Sequence, residues 1–292
     1  MPTARVNGIT INYLLEGEGD TTVVLINGLA DDLQSWDFQV PALLDAGLRV
    51  LRFDNRGIGH SDKPAGVYTS RMLADDAKML VDHLELTDFH LMGVSMGGMI
   101  AEEYALAYGD DLASLTLACT YAAPDNFCTR LFDYWGDLAT ALGVPFVMRD
   151  VALWAFTGGF FQNRPQDALE FDAAMASLDM PLKAYLAQLN VIQTHDTLPR
   201  LSEISVPTLV LAGEEDILIP VRLSRALQEA IPASQWQTVP GGHACLWESP
   251  EPFNQAFIDF VVATATNSHA AAPDASLIDT SVDAGAPTNA PA

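Results

Sequence analysis

Hydrophobic positions along this chain fall into two rhythms. Short, continuous, largely aliphatic runs recur at 22–26, 48–53, 89–92, 113–118, 207–212 and 235–239. Runs of that length predict strands buried on both faces, as in a parallel sheet. Near the N-terminus, residues 4–7 and 10–15 flank Asn7-Gly8, a two-residue hairpin signal. Between strands, Leu73, Ala77, Leu80, Val81 and Leu84 recur at helical spacing and predict an amphipathic helix over 70–84. The alternation predicts an α/β fold, a mostly parallel, twisted sheet of about eight strands flanked by helices.

The rhythm changes between residues 124 and 204. No strand pattern occurs there, and helical patterns occupy 127–142, 144–156, 166–177 and 181–194, with Gly158-Gly159 read as a turn. An insertion between strands of a parallel sheet is expected to cover their carboxyl ends, where open α/β sheets bind ligands. The expected organisation is a core over 1–123, an inserted helical cap over 124–205, and the rest of the core over 206–265 with a closing helix at 252–265. Residues 266–292 are dominated by Ala, Pro, Ser, Thr and Asp, and with too little apolar mass to fold they are expected to be a disordered tail.

Composition narrows the class. Of 292 residues, 49% are hydrophobic and 18% charged, the balance of a globular chain. No apolar run approaches the ~18 residues of a membrane span, and the opening MPTARVNG has no basic-then-apolar leader. A cytoplasmic protein without a membrane partner is expected, as a monomer or homodimer. Cys119, Cys128 and Cys245 are odd in number and widely spaced, which argues for reduced thiols and against a disulfide framework or a metal site. The formal net charge of −24 argues against nucleic acid, whose phosphates would be repelled. An acidic surface of this kind fits a saline habitat or simple solubility equally well.

The candidate chemistry centres on Gly93-Val94-Ser95-Met96-Gly97, a G-x-S-x-G set between a strand and a helix. A serine on such a strained turn needs neighbours without a Cβ, and the following helix aims backbone N–H groups at a developing oxyanion. Asn27-Gly28-Leu29 after the 22–26 strand can bring a second N–H close, so Leu29 and Met96 are the expected backbone donors. Past the 207–212 strand, Glu214, Glu215 and Asp216 compete as the acid that orients a base, with Asp216 favoured. His243, on the Gly-Gly loop after the last strand, is the best-placed base. Asp54 and Arg56 are expected to form a loop-stabilising ion pair. Trp135, Trp154, Phe156 and Phe160 supply apolar surface for a substrate pocket, with Asn27 beside them.

Asn27-Gly28-Leu29, Phe53 to Asp62, Gly93 to Gly98, Gly213 to Asp216 and Gly242-His243 together resemble the α/β-hydrolase superfamily. Within it they are similar to capped lactonases and esterases of the 3-oxoadipate enol-lactonase kind, over about residues 4–264. One departure is Asn27, where the family usually has His before Gly. The resemblance implies an α/β-hydrolase fold with a helical cap, a Ser95–His243–Asp216 triad, and hydrolysis of a small, mostly apolar ester or lactone through an acyl-enzyme, without cofactor or metal. A serine at the elbow argues against dehalogenase or epoxide hydrolase chemistry, which needs a carboxylate there. Other readings of the same framework are a carbon–carbon bond hydrolase, a cofactor-free haloperoxidase or perhydrolase, and a slow-turnover ligand receptor.

Overall fold

Asn7 and Gly8 both adopt left-handed backbone angles, with φ +46° and +77°. They close β1 (Thr3–Val6) onto β2 (Ile9–Glu16) with Val6 opposite Ile9, the turn that the dipeptide predicted. A computed structural model describes residues 1–232 and 234–270. After the hairpin come β3 (Thr22–Ile26), α1 (Val40–Asp45), β4 (Arg49–Phe53), α2 (Ser70–His83), β5 (Phe89–Val94), α3 (Met96–Tyr108) and β6 (Leu112–Ala118). The chain closes with β7 (Thr208–Gly213), α9 (Val221–Ala230), β8 (Ser234–Val239), α10 (Cys245–Glu248) and α11 (Pro250–Ala270).

The strands form one eight-stranded sheet in the order β1-β2-β4-β3-β5-β6-β7-β8. Pairing is antiparallel up to β2–β4 and parallel from β4–β3 onward. β3, β5 and β7 are buried along their whole length. Successive side chains feed opposite faces, as pleating requires: Val24 and Ile26 join the α2 and α3 side, while Val23 and Leu25 join the α1 and α11 side.

Between β6 and β7 lie α4 (Asn126–Leu142), α5 (Val144–Ala155), α6 (Gly158–Asn163), α7 (Pro165–Ala176) and α8 (Leu182–Thr194). α6 stands where the sequence read a turn. Thr157 caps it by accepting from the Phe160 N–H at 3.1 Å, and Phe160 is buried against Phe156, so capping and aromatic packing outweigh the two glycines. α11 runs through Ala270, past the expected start of the tail; 271–292 lie outside the described residues. No helix of the described residues is long and apolar enough to cross a membrane.

The expected Asp54–Arg56 pair does not form. Arg56 instead forks onto both carboxyl oxygens of Asp76 on α2. Asp54 accepts backbone N–H groups from Leu33 and His60, each at 2.8 Å, and pins the loops after β3 and β4 together. Burial holds the Asp76 carboxyl above its ordinary range, although Arg56 and Asn7 pull it down. The cost of breaking this pair is therefore chiefly the charge left stranded. Asp76→Ala should lose about 3–5 kcal/mol of stability in guanidinium unfolding; a loss below about 1 kcal/mol, the worth of a surface pair, would contradict the role given to Arg56.

Candidate active site

Ser95 sits between β5 and α3 with φ +56° and ψ −121°, a conformation that few residues other than glycine adopt. A Cβ on Gly93 would run into the Gly97 carbonyl, and one on Gly97 into the Ile26 carbonyl. Both glycines of the motif are therefore sterically required. The strained serine is held by its own backbone: its N–H donates to Ala118 O at 2.9 Å, and its carbonyl accepts from the Gly98 N–H at 2.9 Å and Thr120 Oγ1 at 2.8 Å.

His243 and Asp216 come together from the loops after β8 and β7. His243 Nδ1 lies 2.9 Å from Asp216 Oδ2, and Asp216 Oδ1 accepts from the Ile219 N–H at 2.8 Å. Both residues are buried. Glu214 and Glu215 point to solvent. Burial opposes the imidazolium, but the Asp216 charge and hydrogen bond outweigh it, helped by Asp31, and raise His243 to about 9. The Gly-Gly loop is fixed by the Gly242 N–H donating to Glu248 Oε1 at 3.1 Å and the Ala244 N–H to Ala155 O at 2.9 Å.

The loop after β3 passes directly over Ser95: a Cβ on Gly28 would lie 3.5 Å from the Ser95 Cβ. Among the described residues, the N–H groups of Leu29 and Met96 have no hydrogen-bond partner. Asn27 does not face the cavity. It is buried, its amide donates to Phe53 O at 3.0 Å and Asp31 O at 3.2 Å, and it accepts from Trp36 Nε1. It is a strut of the loop, and the expectation of a substrate contact there is corrected.

A narrow cavity of about 60 Å³ lies against Ser95 and His243, with a wider cleft of about 610 Å³ beside it. Trp135 lines the cavity, and Phe156 and Phe160 line the cleft. Trp154 lines neither; it packs on Phe127 with ring centroids 5.9 Å apart, so its expected place in the pocket is also corrected. The residue that the sequence reading missed is Asp31. With Ser95 and His243 it makes up the polar part of an otherwise apolar cavity lining. Burial pushes its carboxyl up, Asp32 adds to the effect, and His243 pulls against them, leaving it at about 7. The only signal in the sequence was the pair Asp31-Asp32, which does not reveal which carboxylate turns inward.

Cys119, Asp216 and His243 offer donor atoms within 4.8 Å of one another. Cys119 meets Cys245 at 3.5 Å between sulfurs, and that contact together with burial keeps its thiol protonated, which disfavours a thiolate ligand. His90 and His195 are buried and hydrogen-bonded to Ser114 and Ser70.

Residues 21–250 match a family model described as the alpha/beta hydrolase fold. A protein assigned as carbamate hydrolase RutD in Azorhizobium caulinodans is 29% identical over 261 residues, spanning 89% of this chain and 98% of that one. The 3-oxoadipate enol-lactonase 2 of Acinetobacter baylyi is 27% identical over 87% of this chain and 94% of its own. The crystal structure of the enol-lactonase from Burkholderia xenovorans superposes with a TM-score of 0.82 at 29% identity, covering 89% of this chain and all of that one.

The His243 imidazole should titrate near pH 9 by NMR, and Asp216→Asn should lower that value, because burial then acts against a weaker partner. Folding stability linked to this group is complete below the unfolded value of about 6.5 and is lost as pH rises through the folded one. A wild-type imidazole titrating near 6.5 would contradict this electrostatic account.

Proposed function

This chain belongs to the alpha/beta hydrolase fold family, and on that premise we propose that it is a serine hydrolase cleaving carboxylic esters or lactones with a small, apolar acyl part. The observation that carries this reading is the His243–Asp216 pair opening onto the same cavity as a strained serine. The relatives support bond cleavage at an acyl carbon in general terms.

In the proposed mechanism, Ser95 Oγ attacks the carbonyl carbon while His243 Nε2 takes its proton. Asp216 fixes the Nδ1–H tautomer and stabilises the imidazolium. The carbonyl oxygen, now an anion, accepts from the two unpaired N–H groups of Leu29 and Met96, at the positive end of the α3 dipole. Collapse breaks the bond to the leaving alkoxide, and His243 returns the proton to it. Water then repeats the sequence on the acyl-serine: His243 deprotonates it, the acid leaves, and Ser95 recovers its proton. α4 to α8 act as a cap, supplying Trp135, Met148 and Phe171 to the cavity wall.

Hydrolysis of p-nitrophenyl esters from acetate to decanoate, beside a lactone panel, tests the reading. Ser95→Ala should lose about 10⁴-fold or more in kcat. The optimum should fall at acetate to butyrate, because the cavity of about 60 Å³ holds only a few water-sized volumes. The rate should climb with pH toward about 9 as His243 gives up its proton. Equal rates for wild type and Ser95→Ala on every substrate would end the reading. Similarity to a protein assigned as a carbamate hydrolase favours a second substrate class on the same machinery; Ser95-dependent release of p-nitrophenol from a carbamate would reveal it.

A further inference from the structure

The narrow cavity and the wide cleft share three lining residues, Asp31, Phe171 and Trp247. These three stand at the neck where the two spaces meet, so that an ester with its acyl part in the cavity would set its alcohol part beside them in the cleft. The Asp31 carboxyl stands beside the serine, because its Oδ2 lies 2.8 Å from where a Gly28 Cβ would be, a point itself 3.5 Å from the Ser95 Cβ. Among the described residues that carboxyl has no hydrogen-bond or ion-pair partner. The Phe171 and Trp247 rings lie with centroids 6.2 Å apart, and Phe156 stacks behind Trp247 at 6.1 Å.

An unpaired carboxyl beside two partly exposed aromatic rings is the combination that recognises an ammonium ion. The carboxylate supplies the counter-charge, and the ring faces bind a cation too large and too apolar to hydrogen-bond. The cleft beyond the neck is acidic, with Asp32, Asp167, Glu170 and Asp179 in its lining. Its arginine, Arg164, is already held by Asp167 and by the carbonyls of Trp247 and Glu248. A carboxylate-bearing substrate would meet repulsion along the whole approach, whereas a cation would be drawn in.

We propose that the neck formed by Asp31, Phe171 and Trp247 binds a cationic ammonium group on the alcohol part of the ester, so that the enzyme selects short-chain esters of amino alcohols over neutral and anionic esters. The inference rests on the ester-hydrolase reading and names its substrate class. Nothing in it requires Asp31 to take part in bond breaking: it touches the leaving group and sets specificity.

Three acetates separate the possibilities: acetylcholine, 3,3-dimethylbutyl acetate, which has the same shape without the charge, and 2-sulfoethyl acetate. They are compared at about pH 8.5, above the value of about 7 at which Asp31 loses its proton. The expected order of kcat/KM is cationic, neutral, anionic, with the cation favoured over its neutral isostere by about tenfold or more. Asp31→Asn, which keeps the shape and removes the charge, should collapse that ratio toward one, and Trp247→Leu should reduce it. Equal kcat/KM for the cationic and neutral acetates, or a ratio unaffected by Asp31→Asn, would overturn the proposal. If no acetate is hydrolysed in a Ser95-dependent way, the ester-hydrolase reading fails instead. Calorimetry of choline against 3,3-dimethylbutanol on Ser95→Ala then tests the neck by itself: tighter choline binding supports it, and equal or weaker binding refutes it.

Discussion

The close approach of backbone to backbone beneath Ser95 is the constraint on which the rest of this structure depends. A non-glycine residue at φ +56° costs roughly 1–3 kcal/mol and persists only where its surroundings over-determine it. Here they do. β5 and the first turn of α3 meet through Gly93 and Gly97, the β3 end fits against Gly97, and four hydrogen bonds fix the serine backbone. The same crowding brings the Gly28 loop over the serine, where a Cβ on Gly28 would lie 3.5 Å from the Ser95 Cβ. Strain at one residue is balanced by the fit of three chain segments.

A second close approach, on the other side of β6, brings Asp216 and His243 together. A Cβ on Gly213 would run into the Gly242 carbonyl, so the loops after β7 and β8 are packed together at their bases. Asp216 leaves one loop and His243 the other, and they meet at 2.9 Å inside the protein. Burial by itself would favour the neutral imidazole; the buried carboxylate reverses this and leaves an imidazole that holds its proton tightly. The parallel sheet makes the arrangement possible, since β5, β7 and β8 all end on one edge and deliver their loops to a common place.

The helices between β6 and β7 add what the sheet cannot. They close the cavity with aromatic and methionine side chains, while Glu248 links the His243 loop to the start of α6 by accepting from the Thr157 N–H at 3.0 Å. The shape of the space over the serine is therefore coupled to the position of His243. Asp31 stands at the neck of that space, where the apolar cavity gives way to an acidic cleft. On the proposed reading the chemistry is generic to the framework, and the neck is where this chain distinguishes one substrate from another.

By itself the sequence determined the alternation of strands and helices, the Asn7-Gly8 hairpin, the strand–serine–helix turn, and the choice of Asp216 over Glu214 and Glu215 as the carboxyl beside His243. These rest on signals that act over a few residues: side-chain periodicity, turn-forming dipeptides, and glycines where no Cβ fits. Only the tertiary structure decided the partners. Arg56 reached α2 and Asp76 rather than its neighbour Asp54, Asn27 became a strut for its own loop, and Trp154 turned away from the cavity that Trp135 lines. Asp31 turned toward the serine cavity, while its neighbour Asp32 lines only the cleft. Each of these outcomes depends on which distant segment occupies the space next to a side chain, and that is a property of the packed chain as a whole rather than of its local pattern.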